Sequence, residues 1–380
     1  MEPNDQTEFL FMADAHIKAR TWTNNMQLVG DAYKALDRLQ HSDELSGVKM
    51  LVIGGDWFDS NRPTSIDLAR TREFMLKFDI IYFIPGNHDS VTPSFLEVFD
   101  NLATDNGPCV VYRLSEDTIS MLHGADHCYI AGIPWTHSAE DLKTKIKSIA
   151  TTFKETYGQD DILYLVLHTS FKHLLAFDGA YKLTKEFISE VCGDSNIRVL
   201  VGDIHTRDTT VYNEKTGAYI HSPGSLYPLS FDKAEESNMV SKINLKTGAI
   251  TDIPVDVRTY TSWNYTNRAD LATLVAGVVQ DNPAGFMKPF IRTIVSDAEV
   301  QITDGEYPDV VIQVVNSQTA DIQQRQEVRQ ETYTISQAIE EELADDDPDI
   351  NDLAQALFAS DDPLAEIESW LNFWKVERVV

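Results

Sequence analysis

The chain has 380 residues, 43% of them hydrophobic, which is material for one large catalytic domain with appendages. A formal net charge of −29 argues against a generic nucleic-acid-binding surface; a role on a phosphate polymer would need metal ions, a local basic strip or a partner subunit. There is no membrane-length apolar run and no basic-then-apolar leader, and Cys109, Cys128 and Cys192 lack metal-site spacing, so a cytosolic protein with reduced core thiols is expected.

In chain order, five apolar runs read as buried strands, and a short polar motif follows each. FLFMA leads into Asp14-Ala15-His16, and a helix is expected over 26–40. MLVIGG leads into Asp56, with a helix over 64–77; IIYFIPG ends at Gly86 and leads into Asn87-His88-Asp89, with a helix over 93–103. Strands follow over 109–113 and 127–133, then a helix over 139–157. ILYLVL leads into His168, a helix is expected over 183–192, and IRVLVG leads into Asp203-Ile204-His205. Further strands are expected over 217–222 and 238–245, the last closed by a hairpin turn at NLKTG with Gly248. The fold class is therefore α/β, with two packed sheets flanked by helices and a ligand site at the rim where the strands end.

The character changes after residue 255. A helix-like stretch (269–280) and two strand-like runs, PFIRTIVS and PDVVIQVVN, read as a small α+β domain over 256–320. Residues 321–380 hold 16 acidic against 4 basic residues and then turn amphipathic. There Leu364, Ile367, Trp370, Leu371 and Trp374 form one apolar stripe behind an Asp361-Asp362-Pro363 start signal, a pattern that docks either on the chain's own domain or on a partner, the acidic linker and free terminus favouring the partner.

The motifs deliver seven N- and O-donor side chains, a number that suits two divalent metals sharing one bridging carboxylate. Asp14 and His16, two apart at a strand end, face the same side and can hold one metal. Asp56 follows two glycines that allow a sharp turn, and its carboxylate can bridge both ions. The Asn87 side-chain oxygen can ligate without adding charge, His88 is placed to act as general acid, and Asp89 is expected to orient the His88 ring. Asp59 is expected to bond backbone, and His123, His127, His137 and His221 to have mainly structural roles.

This ordered set resembles the calcineurin-like metallophosphoesterase superfamily, with its D-x-H, G-D, G-N-H-D/E, H and G-H-x-H signature. Within it the stretch Ser222-Pro-Gly-Ser-Leu-Tyr-Pro-Leu-Ser-Phe-Asp232 and the layout beyond resemble the SbcD-type nuclease subunits of double-strand-break repair, phage versions included. The resemblance implies a metallophosphoesterase sandwich over 1–255, a capping domain over 256–320, and a C-terminal helical tail over 321–380 that binds a coiled-coil ABC-type ATPase. It implies Asp14, His16, Asp56 and His205 on one metal, and Asp56, Asn87, His168 and Asp203 on the other. It also implies DNA as substrate, Mn²⁺ or Mg²⁺ as cofactor, and a homodimer, with the apolar face of 93–103 as one candidate surface. The expected setting is the cytoplasm of a bacterial or phage-infected cell. The superfamily usually has His where this chain has Asp203; an additional oxygen ligand biases the centre toward hard ions. Two rival readings are a phosphodiesterase or phosphatase acting on small molecules or phosphoproteins, and a scaffold that has lost turnover.

Overall fold

The computed structural model describes residues 7–20, 29–89, 94–100, 103–104, 107–136, 138–171, 182–229, 238–282, 287–295, 302 and 306–316. The first half alternates strand and helix: β1 (Glu8–Met12), α1 (Asp31–Gln40), β2 (Met50–Ile53), α2 (Ser65–Met75) and β3 (Ile80–Phe83). A short pair, β4 (Ala103–Thr104) and β5 (Gly107–Pro108), precedes β6 (Val110–Arg113), β7 (Ser120–Met121) and β8 (Cys128–Ile133). Then come α3 (Ala139–Thr156), β9 (Ile162–His168), α4 (Lys185–Cys192), β10 (Ile197–Gly202), β11 (Asp208–Asn213), β12 (Ala218–Ser222) and β13 (Met239–Asn244). The described chain finishes with β14 (Ile250–Pro254), β15 (Tyr260–Asn264), α5 (Arg268–Asp281), β16 (Phe290–Val295) and β17 (Val311–Asn316).

The strands form two six-stranded mixed sheets, in the orders β14-β13-β1-β2-β3-β6 and β11-β12-β10-β9-β8-β7. Alternation along each strand decides what the sheets pack against. Phe9 and Phe11 of β1, Met50 and Val52 of β2, and Ile80 and Tyr82 of β3 meet Ile130, Tyr164, Val166 and Leu200 of the second sheet in a core between the sheets. The alternate residues Leu10, Met12, Leu51, Ile53, Ile81 and Phe83 pack outward on α1 and α2. Leu163, Leu165, Leu167, Val199 and Val201 do the same against α3 and α4. The strands are apolar on both faces because both faces are covered. This is the expected two-sheet sandwich flanked by helices.

Side chains set the helix starts. Thr64 and Asp67 form a reciprocal capping box on α2, Ser138 accepts from the Asp141 N–H on α3, and Thr184 accepts from the Phe187 N–H on α4. The helix expected over 26–40 begins at Asp31, behind Gly30 in a left-handed conformation; residues 21–28 lie outside the described ones. Within the expected helix over 93–103 the described residues form one 3₁₀ segment, Phe95–Phe99; residues 93, 101 and 102 lie outside the described ones. Its end has a local cause: the Asp100 carboxylate accepts from the Val111 N–H at 3.1 Å and draws the chain toward β6. The helical face considered for a dimer is accordingly not formed as a helix.

Two compact units are distinguishable among the described residues. The first holds both six-stranded sheets and runs to 261, with 272–291 and 307–311; the second comprises 262–271 and the described parts of 292–306 and 312–316. Strands β15, β16 and β17 form a three-stranded sheet. The amphipathic segments expected over 321–380 lie outside the described residues, as does His137. Among the described residues no helix is long and apolar enough to cross a membrane.

Candidate metal centre

Parallel pairing brings the motif-bearing strand ends to one rim. β1, β2 and β3 are parallel neighbours in one sheet, and β9 and β10 in the other, with Gly202 paired to His168. Beyond the last ladder residues the loops stay hydrogen-bonded to one another: Asp14 N–H to Gly55 O at 3.1 Å, and His16 N–H to Asp56 O at 3.0 Å. Asp14 (φ 50°), His16 (φ 41°), Asp56 (φ 49°) and Asp203 (φ 76°) all sit in the left-handed region, which is uncommon for residues with a side chain. Such conformations persist where the surroundings over-determine them, and here they cluster at one place. Gly55 (φ 96°) turns the chain tightly enough that a Cβ there would overlap His168 Nδ1, and a Cβ on Gly86 would overlap the Asp56 carboxylate.

Three histidines have one ring nitrogen already engaged. His16 Nδ1 lies 3.2 Å from Asp59 Oδ1, His168 Nδ1 lies 2.8 Å from the Gly54 carbonyl, and His88 Nδ1 lies 3.0 Å from the Asp59 carbonyl. Carbonyl and carboxylate oxygens only accept, so each Nδ1 carries the proton and each Nε2 of a neutral ring presents its lone pair. His16 Nε2 is buried without any hydrogen-bond partner, 3.7 Å from Asp56 Oδ2. His168 Nε2 lies 3.3 Å from Asp56 Oδ2 and 3.1 Å from Asn87 Oδ1. His205 Nε2 lies 3.9 Å from Asp14 Oδ1.

The carboxylates are crowded. Burial, with the neighbouring charges of Asp56 and Asp203, pushes the Asp14 carboxyl well above its ordinary range. Burial raises Asp203 to about 6. For Asp56 burial acts upward too, but His168 and His88 outweigh it and hold the carboxyl low. His168 responds in kind: burial lowers it, and Asp56, Asp14 and Asp203 more than compensate, so its pKa lies well above the usual value. Burial draws His205 down to about 3 and also lowers His16.

The seven sequence-derived ligand candidates occupy this one rim. Three sets of donor atoms lie within 4.8 Å of one another: Asp14, His16 and His205; His16, Asp56 and His88; and Asp14, Asp56 and His168. Asp203 joins through its main chain, its N–H donating to the Asp14 carboxylate at 3.0 and 3.1 Å. Asp89 does not orient His88. Its oxygens accept from the main-chain N–H groups of Trp57 and Gly86, both at 2.7 Å, tying the second motif to the third. A carboxylate three residues after a tight glycine turn is better served by nearby N–H groups than by its neighbour's ring. Asp59 likewise departs from the expected backbone role: its carboxylate pairs with His16 and, at 2.8 Å, with Lys18 Nζ. The spacing Asp56-x-x-Asp59, which returns a second carboxylate to the first histidine, was the legible signal. His221 is structural: it is buried, with Thr209 Oγ1 and Ser241 Oγ each at 2.8 Å.

These residues fit divalent cations. Buried carboxylates converge, and among the described residues the close ion-pair partners of Asp14 and Asp56 are all histidines, with an orphaned imidazole nitrogen set among them. Asn87 Oδ1 and His168 Nε2, both lone-pair donors when the ring is neutral, stand 3.1 Å apart. Hard oxygen and imidazole donors of this kind suit Mn²⁺, Mg²⁺ or Zn²⁺.

The family model for calcineurin-like phosphoesterase matches residues 7–207, just over half of the chain and all five motifs. No curated protein matches. Among solved structures, the chain is similar to the protein TT1561 of Thermus thermophilus, at 13% identity and a TM-score of 0.42, covering 66% of this chain and 99% of that one. It is also similar to a dimetal phosphatase from Danio rerio, at 11% identity and a TM-score of 0.41, with the same two coverages. The motif-bearing sandwich and the family match together place the chain in the calcineurin-like phosphoesterase family, as a metal-dependent phosphoesterase.

Proposed function

We propose that this phosphoesterase is a DNA endo/exonuclease of the SbcD type, the nuclease subunit of a recombination or repair complex. The observation that supports it is how the stretch Ser222-Pro-Gly-Ser-Leu-Tyr227 is seated. The Ser225 N–H donates to the His205 carbonyl at 3.2 Å, the Leu226 N–H to the Asp14 carbonyl at 3.4 Å, and the Tyr227 hydroxyl to the His16 carbonyl at 3.0 Å. The segment that narrows the sequence resemblance thus fastens the first motif to the last, with Gly224 (φ 79°) making the turn.

In this reading Asp14, His16, Asp56 and His205 hold one cation, and Asp56, Asn87, His168 and Asp203 the other, Mn²⁺ being the preferred ion and Mg²⁺ an alternative. Bound divalent ions supply Lewis acidity and an activated water near neutral pH. The chain's own contribution is positioning. Asp59 and Gly54 O fix the His16 and His168 tautomers, and Asp89 locks the loops that carry Asp56 and Asn87. His88, with Nδ1–H spent on the Asp59 carbonyl, offers Nε2–H in its imidazolium form to the departing sugar oxygen. Residues 256–320 serve as the cap over the DNA, and 321–380 dock on a coiled-coil ABC-type ATPase in a cytoplasmic assembly built on a homodimer.

The test is Mn²⁺-dependent cleavage of linear duplex and single-stranded DNA by the full chain, with His88→Ala as control. Cleavage by wild type and its loss in the variant, with metal binding retained, is the expected result. The net charge of −29 favours a second reading, a phosphodiesterase acting on small molecules or phosphoproteins. Hydrolysis of bis-p-nitrophenyl phosphate without DNA cleavage, even with the ATPase subunit added, would decide for it.

A further inference from the structure

Lys182 is tied to two loops beside the centre and, through Trp135, to a third. The main-chain N–H groups of Lys182 and Leu183 both reach the Ser170 carbonyl at 3.3 Å, two residues beyond His168. The Lys182 ammonium donates to the Thr136 carbonyl and sits 4.5 Å from the centroid of the Trp135 ring. The main-chain N–H of Trp135 in turn donates to the Pro85 carbonyl at 3.2 Å, directly ahead of Gly86-Asn87-His88. Lys182 and Asp203 lie within electrostatic range of each other. Among the described residues no carboxylate forms a close ion pair with this lysine. A half-buried ammonium that among the described residues meets one carbonyl and an indole face keeps further N–H donors for an anion.

Asp203 gives the centre a negative charge where the family signature has a neutral imidazole. That charge opposes the approach of a phosphodiester, itself an anion. We propose that Lys182 is a substrate-contact residue, whose ammonium offsets Asp203 and donates a charge-assisted hydrogen bond to a non-bridging oxygen of the scissile phosphate. The inference rests on the reading of Asp203 as a member of the metal-holding set.

The experiment compares full-length wild type with Lys182→Met, Lys182→Gln, Lys182→Arg, Asp203→His and the Lys182→Met/Asp203→His pair. Gln keeps a donor for the Thr136 carbonyl, so it separates loss of charge from loss of loop structure. The readouts are kcat/KM on bis-p-nitrophenyl phosphate, the inhibition constant of inorganic phosphate, and Mn²⁺ affinity of metal-stripped protein by calorimetry. Met and Gln should each lower kcat/KM roughly tenfold to hundredfold, and weaken phosphate inhibition in step. Mn²⁺ affinity should hold, Arg should recover most of the loss, and the Met substitution should cost clearly less in the Asp203→His background. Unchanged phosphate inhibition, equal losses in both backgrounds, or a fall in Mn²⁺ affinity parallel to the fall in rate would each overturn the proposal. An Asp203→Ala protein that binds two Mn²⁺ as tightly as wild type would instead remove Asp203 from the metal set, a separate failure with its own signature.

Discussion

His16 Nδ1 and the Asp59 carboxylate stand 3.2 Å apart, and that one contact commits the other ring nitrogen of His16 to the centre. The carboxylate is held down to about 2, since His16 and Lys18 outweigh the upward effect of burial, so it is ionised and accepting under all ordinary conditions. Asp59→Ala should therefore weaken divalent-metal affinity by roughly tenfold to hundredfold while the fold persists. Calorimetric titration of the stripped variant with Mn²⁺ checks this; affinity equal to wild type would make the pairing incidental.

Removing the metals should loosen the whole molecule. Without cations, the buried Asp14 and Asp56 carboxylates and the nearby Asp203 repel one another. Mn²⁺ at about a hundred times its dissociation constant should return roughly 2.7 kcal/mol per site, a clear rise in Tm. A chelator-treated sample melted with and without Mn²⁺ gives the answer, and coincident melting curves would speak against a metal-holding site.

Gly55 should tolerate no side chain. Its φ of 96° costs an L-residue about 1–2 kcal/mol by itself, and a Cβ would overlap the His168 ring as well. Gly55→Ala is expected to lower the urea midpoint and to abolish Mn²⁺ binding. A variant that kept both would mean the turn can be redrawn without moving His168.

Arg258 and Asp31 form a buried ion pair at 2.9 Å, with the Tyr260 hydroxyl donating to the same carboxylate and Arg258 Nη1 to the Lys288 carbonyl at 2.6 Å. Breaking it from one side leaves a buried charge, so Arg258→Met should cost on the order of 3–5 kcal/mol of unfolding free energy. Adding Asp31→Asn should recover a good part of that loss. Chemical denaturation of the single and double variants measures the coupling, and purely additive losses would contradict it.

His221 gives stability a pH dependence of known sign. Burial, reinforced by Arg207, lowers its folded pKa to about 4 against an ordinary 6.5. Between those values the unfolded chain binds the extra proton, so stability falls as pH drops through the window, by on the order of 3 kcal/mol from this residue. His221→Gln should flatten the dependence between pH 6.5 and 4 relative to wild type. Parallel stability curves for the two proteins would show that His221 is not the source.

The strands were readable because covered faces demand unbroken apolar runs: FLFM, MLVI, IIYF, ILYLVLH and IRVLVG all form strands and all end at the rim. The edge strand β11, Asp208–Asn213, escaped because its sequence DTTVYN answers to solvent and to a bulge at Val211/Asn213, not to a core. The helix over 93–103 failed because an apolar pattern cannot reveal that Asp100 will cap a strand eleven residues away. At the centre, residue types and strand ends were enough to gather the donor set. Which carboxylate serves which partner was not, since Asp59 and Asp89 differ only in the geometry of the turns that carry them. Lys182 belongs to no motif, and only the packing of its loops makes it visible.

The four left-handed positions at the rim restrict the alphabet of the site more tightly than ligand chemistry does. Outside glycine, that conformation is borne most readily by Asn, Asp and His, all of which also ligate divalent ions. Glu ligates as well as Asp but has no such tolerance. At Asp203, with φ of 76°, an exchange between His and Asp changes the charge of the centre without bending the chain, whereas Glu would have to do both. The main chain thereby leaves this protein a short list of spellings for the rim, and Asp at 203 is one of the few that list permits.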